Sequence, residues 1–281
     1  MENVYFHIIR FQAGMFLLAL LAACATPAQR ADSAAAGFGF TRALLLGSDF
    51  RHVTYSHPGI GSTLHVYLES DGTPWLARYV VASDPTPRHP LILELMALDK
   101  APSLYLGRPC YFGEAQTPSC TPLTWTDERY SARVVDSLAA ALRRYLQQTP
   151  YAEVALFGLS GGGTLAVLLA ERIPETFAVV TLAANLDVGA WTAYHGYSPL
   201  TGSLDPARQA PLDPRILQWH YVGGRDSNVP PGLIQAYSNS RPAVRTTEIP
   251  LYNHVCCWPD VWPEILKELS QSERKSALPG R

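Results

Sequence analysis

Blocks of like charge are absent from this sequence. Its 281 residues include 22 lysines and arginines and 24 aspartates and glutamates, and the formal net charge is −2. A nucleic-acid-binding protein carries a basic patch or a recognisable module, and the sequence has neither. We therefore expect no nucleic-acid partner. No segment repeats at a period of about 20–50 residues, which excludes solenoid and propeller architectures.

Ligands for a metal are also scarce. The five cysteines and eight histidines do not fall at the spacings that zinc sites use, so we expect no bound metal. The 23 prolines and 20 glycines are spread between apolar runs, which is typical of loops on a globular frame rather than of disorder. With 47% hydrophobic residues, the chain is long enough to bury a sizeable core.

The apolar run at residues 13–23 is short, since a membrane-spanning helix needs about 20 apolar residues. Its length suits the apolar region of a secretory signal. It ends in Leu21-Ala22-Ala23-Cys24, which resembles a bacterial lipoprotein signal, with cleavage before Cys24 and lipidation of that cysteine. Because Ala25 follows rather than an aspartate, the resemblance implies the periplasmic face of the outer membrane. An ordinary signal peptide or an uncleaved anchor is the alternative.

The signal sets the expected organisation of the chain. Residues 1–23 would form the signal peptide. Residues 24–37 are rich in Ala, Ser, Thr, Pro and Gln, a composition that predicts a flexible tether between the lipid and the domain. The domain itself would occupy residues 38–272, followed by a C-terminal tail at 273–281.

Within the domain, β-prone apolar runs alternate with helical stretches. This alternation predicts an α/β domain with a mostly parallel sheet that helices cover on both faces. Residues 185–215 are rich in Pro, Gly, Asp and Ser and predict a loop or a small irregular cap above the sheet. The predicted strands are 38–46, 51–56, 63–69, 103–106, 151–157, 177–183, 216–222 and 244–249, and the predicted helices are 91–100, 127–147, 162–172, 231–238 and 258–270.

The segment Gly158-Leu159-Ser160-Gly161-Gly162 matches the pattern G-x-S-x-G. A predicted strand runs into it and a predicted helix runs out of it, which is the setting of a nucleophile turn. Glycines allow the sharp turn that lifts the serine hydroxyl clear of the sheet, and the N–H of Gly161 becomes an oxyanion donor. A phosphate loop would need a lysine here, and a dinucleotide turn would need other glycine spacing. We therefore predict that Ser160 is a nucleophile.

A serine nucleophile in this setting needs a base that comes later in the chain. Three histidines follow Ser160. His220 lies inside a predicted strand, where a core role is more common, and His195 lies in the irregular segment, where it could line a pocket. His254 lies between the last predicted strand and the last helix, so we predict His254 as the base.

The acid of the triad should precede the histidine along the chain. Asp226 follows the strand that ends at Val222, and a carboxylate there can hold the histidine in the correct tautomer and stabilise the imidazolium. We predict Asp226 in this role. Asp187, which follows the previous strand, is the alternative.

Several segments together resemble a group of bacterial α/β-hydrolases. The resemblance covers roughly residues 60–265 and implies the α/β-hydrolase fold and the triad positions, but no particular substrate. The segments that carry it are Val66–Trp75, Asp84–Pro87, Tyr105–Cys110, Trp125-Thr126, Ser160–Gly163, Asn185–Asp187 and Trp191-Thr192.

In that superfamily the turn after the third strand supplies a second oxyanion donor, often from a His-Gly segment. Here Glu69 replaces the histidine and Ser70 replaces the glycine. The resemblance implies the backbone N–H of Asp71 as the donor. Because an acidic side chain facing an oxyanion is unfavourable, we expect Asp71 to point away or to pair with Arg108 or Arg78. Glu69 and Asp71 could equally have structural roles, capping loops near the site.

Four cysteines remain after Cys24, and four cysteines allow three complete pairings. In an oxidising compartment we expect a disulfide between Cys110 and Cys120, which would close a short loop beside the site. Cys256 and Cys257 are adjacent. A bond between neighbours is strained, and the position beside His254 favours a packing role over a catalytic one; the pairing of these two cysteines stays open.

The sequence therefore predicts a serine hydrolase that cleaves carboxylic esters through an acyl-enzyme, with no metal and no organic cofactor. One partner would be a small-molecule ester or acyl substrate. The other would be the membrane, which the protein would contact through the lipid anchor. A peptidase or thioesterase of the same chemistry is an alternative, as is a catalytically silent envelope binding module. Trp191, Tyr194 and Tyr197 could line an apolar acyl or aryl pocket or pack a lid.

Overall fold

The computed structural model describes residues 25–77, 79–241 and 243–276, with side chains as far as residue 273. Ten strands occur in this part of the chain, and eight of them form one central sheet. The strands are β1 (Thr41–Leu46), β2 (Arg51–His57), β3 (Thr63–Leu68), β4 (Trp75–Ala77), β5 (Val80–Val81), β6 (Ser103–Leu106), β7 (Glu153–Leu159), β8 (Thr176–Leu182), β9 (Leu217–Gly223) and β10 (Val244–Ile249).

The central sheet has the strand order β1-β2-β6-β3-β7-β8-β9-β10. β2 is antiparallel to both of its neighbours, and every pairing from β6 to β10 is parallel. β3, β7 and β8 are buried along nearly their whole length, which explains why their sequences are continuous apolar runs. The predicted mostly parallel sheet is confirmed.

Helices cover the sheet. Every residue of the helix after β7 is buried, whereas the longer helix before β7 is amphipathic and begins only after Ser131, whose hydroxyl accepts the N–H of Val134 at 3.3 Å. The helices are α1 (Pro27–Gly37), α2 (Leu91–Ala97), α3 (Pro122–Trp125), α4 (Ala132–Leu146), α5 (Gly161–Ala170), α6 (Val188–His195), α7 (Pro231–Asn239) and α8 (Trp258–Ser276).

The prediction of a flexible tether at residues 24–37 is wrong for the residues that form α1. Thr26 caps this helix: its hydroxyl accepts the N–H of Gln29 at 3.2 Å, and the Gln29 side chain accepts the N–H of Thr26 at 2.8 Å. Ala31 and Ala35 are fully buried on one face. The capping box and the alanine spacing are helix signals, and they outweigh the loop-like composition. Cys24 and the predicted signal peptide at 1–23 lie outside the described residues.

The other end of the domain also differs from the prediction. Helix α8 runs to Ser276, so the start of the predicted tail at 273–281 is helical, and residues 277–281 lie outside the described residues. The irregular segment 185–215, which is called the cap below, contains α6 and a short 3₁₀ helix at Pro206–Arg208. Among the described residues, no helix is long and apolar enough to cross a membrane.

A buried ion pair ties α8 to the sheet. His65 of β3 holds Asp99 through Nδ1 at 2.6 Å and Glu273 through Nε2 at 3.2 Å, and the Tyr67 hydroxyl donates to the same Asp99 oxygen at 2.6 Å. Burial alone would lower the pKa of His65, but the hydrogen bonds and charges of the two carboxylates outweigh it and raise that pKa to about 9. The imidazole is therefore charged at neutral pH.

This pair predicts a loss of stability in alkaline solution. The folded-state pKa of His65 lies above its unfolded value, so the contribution is complete below pH 6.5 and disappears as pH rises through about 9. We expect the free energy of unfolding to fall by about 3 kcal/mol over that range. Urea unfolding at several pH values measures it. His65→Gln should already be destabilised at neutral pH, and its free energy of unfolding should fall little further as pH rises. If the free energy of unfolding fell equally steeply with pH in both proteins, the prediction would be contradicted.

Candidate active site

Ser160 occupies a sharp turn between β7 and α5. Its φ angle is +53°, in the left-handed region that non-glycine residues rarely adopt. A β-carbon at Gly158 would overlap the carbonyl of Gly162, and one at Gly162 would overlap the carbonyl of Leu68 on the neighbouring strand β3. Glycine is therefore required on both sides of the serine, as the sequence pattern predicts.

The structure brings Ser160, His254 and Asp226 into one hydrogen-bonded chain. The Ser160 hydroxyl lies 3.0 Å from Nε2 of His254, and Nδ1 of His254 lies 2.8 Å from Asp226 Oδ2. The other carboxylate oxygen of Asp226 accepts the backbone N–H groups of Asn228 and Val229, both at 2.8 Å. The Asp226 side chain is fully buried. Its two oxygens are thus fixed, one by backbone donors and one by the imidazole.

The alternative candidates occupy other positions. Asp187 caps helix α6, where its side chain accepts the N–H of Ala190 at 2.8 Å. His220 lies inside β9 with Nδ1 2.8 Å from the Thr181 hydroxyl, and burial, assisted by the charge of Arg241, lowers its pKa to about 3. Both side chains have structural contacts of their own, whereas Asp226 contacts the histidine that contacts the serine.

Asp71 lies in the turn after β3 and contacts two arginines. Its Oδ1 accepts from Arg108 at 2.7 Å, and its Oδ2 accepts from Arg129 at 3.0 Å and from the Tyr130 hydroxyl at 2.6 Å. Burial raises the pKa of this carboxyl, but the two guanidinium charges and these hydrogen bonds outweigh it and hold the pKa below its usual value. The structure contains the expected pairing with Arg108, while Arg78 lies outside the described residues.

Arg129 and Tyr130 are site residues that the sequence analysis missed. They lie in the turns before α4, far along the chain from Asp71, and no local pattern marks them. Arg108 and Arg129 place two guanidinium groups against the Asp71 carboxylate, and the buried carboxyl of Glu69 also interacts with the charge of Arg108.

The turn at Asp71 lies directly against the serine turn. A β-carbon at Gly161 would overlap both the Asp71 carboxylate and the Tyr130 hydroxyl. Within the described part of the chain, the backbone N–H groups of Asp71 and Gly161 donate to no protein acceptor. Two unpaired N–H groups on touching turns are what an oxyanion site requires, so both predicted donors are available.

Glu69 has a structural position beside this turn. It is buried, and its carboxylate accepts the N–H of Ser70 at 2.8 Å and the N–H of Ile92, in the first turn of α2, at 3.2 Å. Burial raises the pKa of Glu69 to about 7, although these donors oppose the shift. The residue that replaces the histidine of the family pattern thus fixes the turn to α2.

A disulfide joins Cys110 to Cys120 as predicted, with the α-carbons 5.7 Å apart. It closes the loop that follows β6 and Arg108. The structure also joins Cys256 to Cys257, a pairing that the sequence leaves open. Asn253 Oδ1 accepts the N–H of Cys256 at 2.8 Å, and the resulting tight turn brings the two side chains together. Within the described ranges, no group of three His, Cys, Asp or Glu side chains could hold a metal ion.

The sequence matches no protein-family profile and no curated protein, whereas many solved structures resemble the fold. An esterase of Pyrococcus furiosus aligns with a TM-score of 0.58 at 12% identity, over 84% of this chain and 90% of that one. Est1E of Butyrivibrio proteoclasticus, solved with ferulic acid, aligns with a TM-score of 0.53 at 14% identity, over 83% and 99%. The acylaminoacyl peptidase of Pyrococcus horikoshii aligns with a TM-score of 0.57 at 12% identity, over 84% and 42%.

The chain has the α/β-hydrolase fold. In α/β-hydrolases the nucleophile, acid and base follow one another in that order along the chain, and here Ser160 follows β7, Asp226 follows β9 and His254 follows β10. The predicted fold class is confirmed.

The cap carries a cluster of aromatic rings. The rings of His195 and Tyr197 are stacked with centroids 5.0 Å apart, and Trp191 packs edge-on against both at 5.4 Å. Tyr194 packs against His195 at 4.9 Å. Trp191 is buried, whereas Tyr194 and Tyr197 are exposed. These aromatics pack against one another in the cap, and their use as the lining of an acyl or aryl pocket stays a prediction.

Proposed function

We propose that this protein is a serine hydrolase that cleaves carboxylic esters through an acyl-enzyme. The observation that carries the proposal is the hydrogen-bonded chain from Ser160 through His254 to Asp226, at the sheet edge where α/β-hydrolases hold their triads. The likeness to an esterase and a peptidase of the same fold supports hydrolysis as the reaction class.

In the first half-reaction the Ser160 oxygen attacks the acyl carbon while His254 Nε2 takes its proton. The tetrahedral intermediate then collapses, the bond to the leaving alcohol breaks, and His254 returns the proton to that alcohol. Asp226 keeps the proton of the resting imidazole on Nδ1 and stabilises the imidazolium. Water repeats the sequence on the acyl-enzyme, which releases the acid and restores Ser160.

The negative charge of the intermediate needs donors that are already in place. The N–H groups of Gly161 and Asp71 are suited to this role, and one such donor contributes about 3 kcal/mol to transition-state stabilisation. The N-terminal end of α5 adds a positive dipole. No step requires a metal or an organic cofactor.

A fluorophosphonate probe tests the proposal, because it reacts with serines that a histidine activates. Wild-type protein should be labelled, Ser160→Ala should not, and Ser48→Ala, which changes an exposed serine, should react like wild type. Absence of labelling in the wild type would overturn the proposal and favour a silent binding module. A chain-length series of p-nitrophenyl esters beside matched amides and thioesters then separates esterase from peptidase and thioesterase activity.

We also propose that the protein is anchored to the cell envelope through lipidated Cys24, on the periplasmic face of the outer membrane. The support is the sequence Leu21-Ala22-Ala23-Cys24 at the end of an apolar run. Fractionation of expressing cells tests it: the wild type should sediment with membranes and Cys24→Ala should move to the soluble fraction. An unchanged distribution would contradict the anchor.

A further inference from the structure

Asn228 contacts three parts of the site at once. Its backbone N–H donates to Asp226 Oδ1 at 2.8 Å, and its side-chain Nδ2 lies 3.0 Å from Nε2 of His254. Its carbonyl oxygen accepts from the indole N–H of Trp191 at 3.0 Å and lies 2.7 Å from Nε2 of His195. One residue therefore touches the acid, the base and the cap helix α6.

We propose that Asn228 is a positioning residue for His254 and that it couples the cap to the triad. This inference rests on the proposed function, because it assigns Asn228 a role in the proton transfers between Ser160 and His254. The role differs from those of Ser160 and His254, since Asn228 takes part in no proton transfer.

The chemistry follows from the atoms that meet at Nε2. A neutral imidazole has one lone pair on this nitrogen, and both the Ser160 hydroxyl and the Asn228 amide lie 3.0 Å from it. An amide N–H at that position shares this lone pair with the serine hydroxyl, which stabilises the neutral ring and restricts its rotation. Among the described residues, Asp226 supplies the charge that faces the ring, at Nδ1. Asn228 thus acts on the nitrogen opposite to the one that Asp226 controls.

The amide group can also serve the other protonation state. Its oxygen and nitrogen have nearly the same shape, so half a turn about the Cβ–Cγ bond presents the oxygen to Nε2–H of the imidazolium. This rotation leaves the backbone in place. The backbone bonds to Asp226, Trp191 and His195 therefore hold Asn228 while its side chain follows the proton.

The backbone carbonyl of Asn228 connects this residue to the cap. The indole of Trp191 and the imidazole of His195 meet this oxygen from α6, and both rings belong to the aromatic cluster at the cap surface. A substrate group that moves the cluster would shift Asn228 and hence the ring of His254. The fold therefore contains a short physical connection between the cap and the base.

Asn228→Ala isolates the side-chain contact, because the backbone N–H and carbonyl remain. We expect kcat to fall three- to tenfold, which corresponds to the loss of about one hydrogen bond. KM for a short acetate ester should be nearly unchanged. Asn228→Asp presents only acceptors and adds a negative charge, so the acid limb of its kcat/KM profile should move to higher pH by about one unit. Titration of active sites with the fluorophosphonate probe corrects every rate for misfolded protein.

Trp191→Phe tests the cap side, since it removes the indole N–H and keeps an aromatic ring. We expect a twofold to fivefold loss in kcat that is not additive with Asn228→Ala. Superimposable pH profiles for wild type, Asn228→Ala and Asn228→Asp would overturn the inference, as would independent effects at Asn228 and Trp191. A wild-type protein that neither reacts with the probe nor cleaves esters would instead overturn the proposed function.

Discussion

Ser160→Ala is expected to lower kcat for ester hydrolysis by about 10⁶-fold, and His254→Ala by a similar factor. Each change removes one partner of the same proton transfer across 3.0 Å. The double variant should therefore be no slower than either single variant, because residues that act as a unit are not additive. Initial rates with a p-nitrophenyl ester, measured beside near-UV circular dichroism, test this result.

Matched controls separate this effect from general damage. His89 is an exposed histidine on the same chain, and His89→Ala should keep wild-type activity. Asp226→Asn should lose about 10⁴-fold in kcat because the imidazole takes the wrong tautomer. Asp187→Asn should lose little activity, since that side chain caps α6. Retention of about a tenth of the activity or more in His254→Ala would contradict a triad built on this histidine.

Asp71→Ala should cause the largest loss of stability. The change leaves the guanidinium groups of Arg108 and Arg129, of which 2% and 7% of the side-chain surface is exposed, without their anion. Removing one partner of a buried ion pair typically costs about 3–5 kcal/mol. Tyr130 also loses the acceptor of its hydroxyl at 2.6 Å. Urea unfolding followed by fluorescence gives the free energy of unfolding directly.

The control for this prediction is a surface pair. Asp49 meets Arg133 at 3.2 Å with more than a third of each side chain exposed, and Asp49→Ala should change stability little, because solvent screens an exposed pair. If Asp71→Ala does not accumulate as folded protein, Asp71→Asn keeps the shape of the side chain and should still be strongly destabilised. A loss at Asp71 no larger than the loss at Asp49 would contradict a buried charge cluster.

The lowered pKa of Asp71 gives the same interaction a pH signature. Its folded-state pKa lies below the unfolded value of 3.8, so the stabilisation is complete above that value and is lost as the solution is acidified through the folded pKa. His65 behaves in the opposite sense, since its contribution is lost on the alkaline side. Together the two buried pairs predict a stability maximum in the window above the unfolded pKa of Asp71, 3.8, and below the unfolded pKa of His65, 6.5.

Features that depend on neighbouring residues could be predicted from the sequence more fully than contacts between distant residues. Gly158-Leu159-Ser160-Gly161-Gly162 is legible in the sequence because a sharp turn between a strand and a helix constrains consecutive residues. The order of Asp226 and His254 after the serine could also be predicted from the sequence, since both residues follow predicted strands. The composition of residues 24–37 predicts a flexible tether. Helix α1 forms there instead, because Thr26 and Gln29 form a capping box that starts it.

The sequence by itself determined the alternation of strands and helices, the serine turn and the order of the candidate triad, because each depends on residues close together in the chain. Only the tertiary structure decided that Asp226 and not Asp187 meets His254, that two arginines and a tyrosine hold Asp71, and that Asn228 touches the base. These contacts join residues that are distant in sequence, and the packing of the sheet and its loops brings them together.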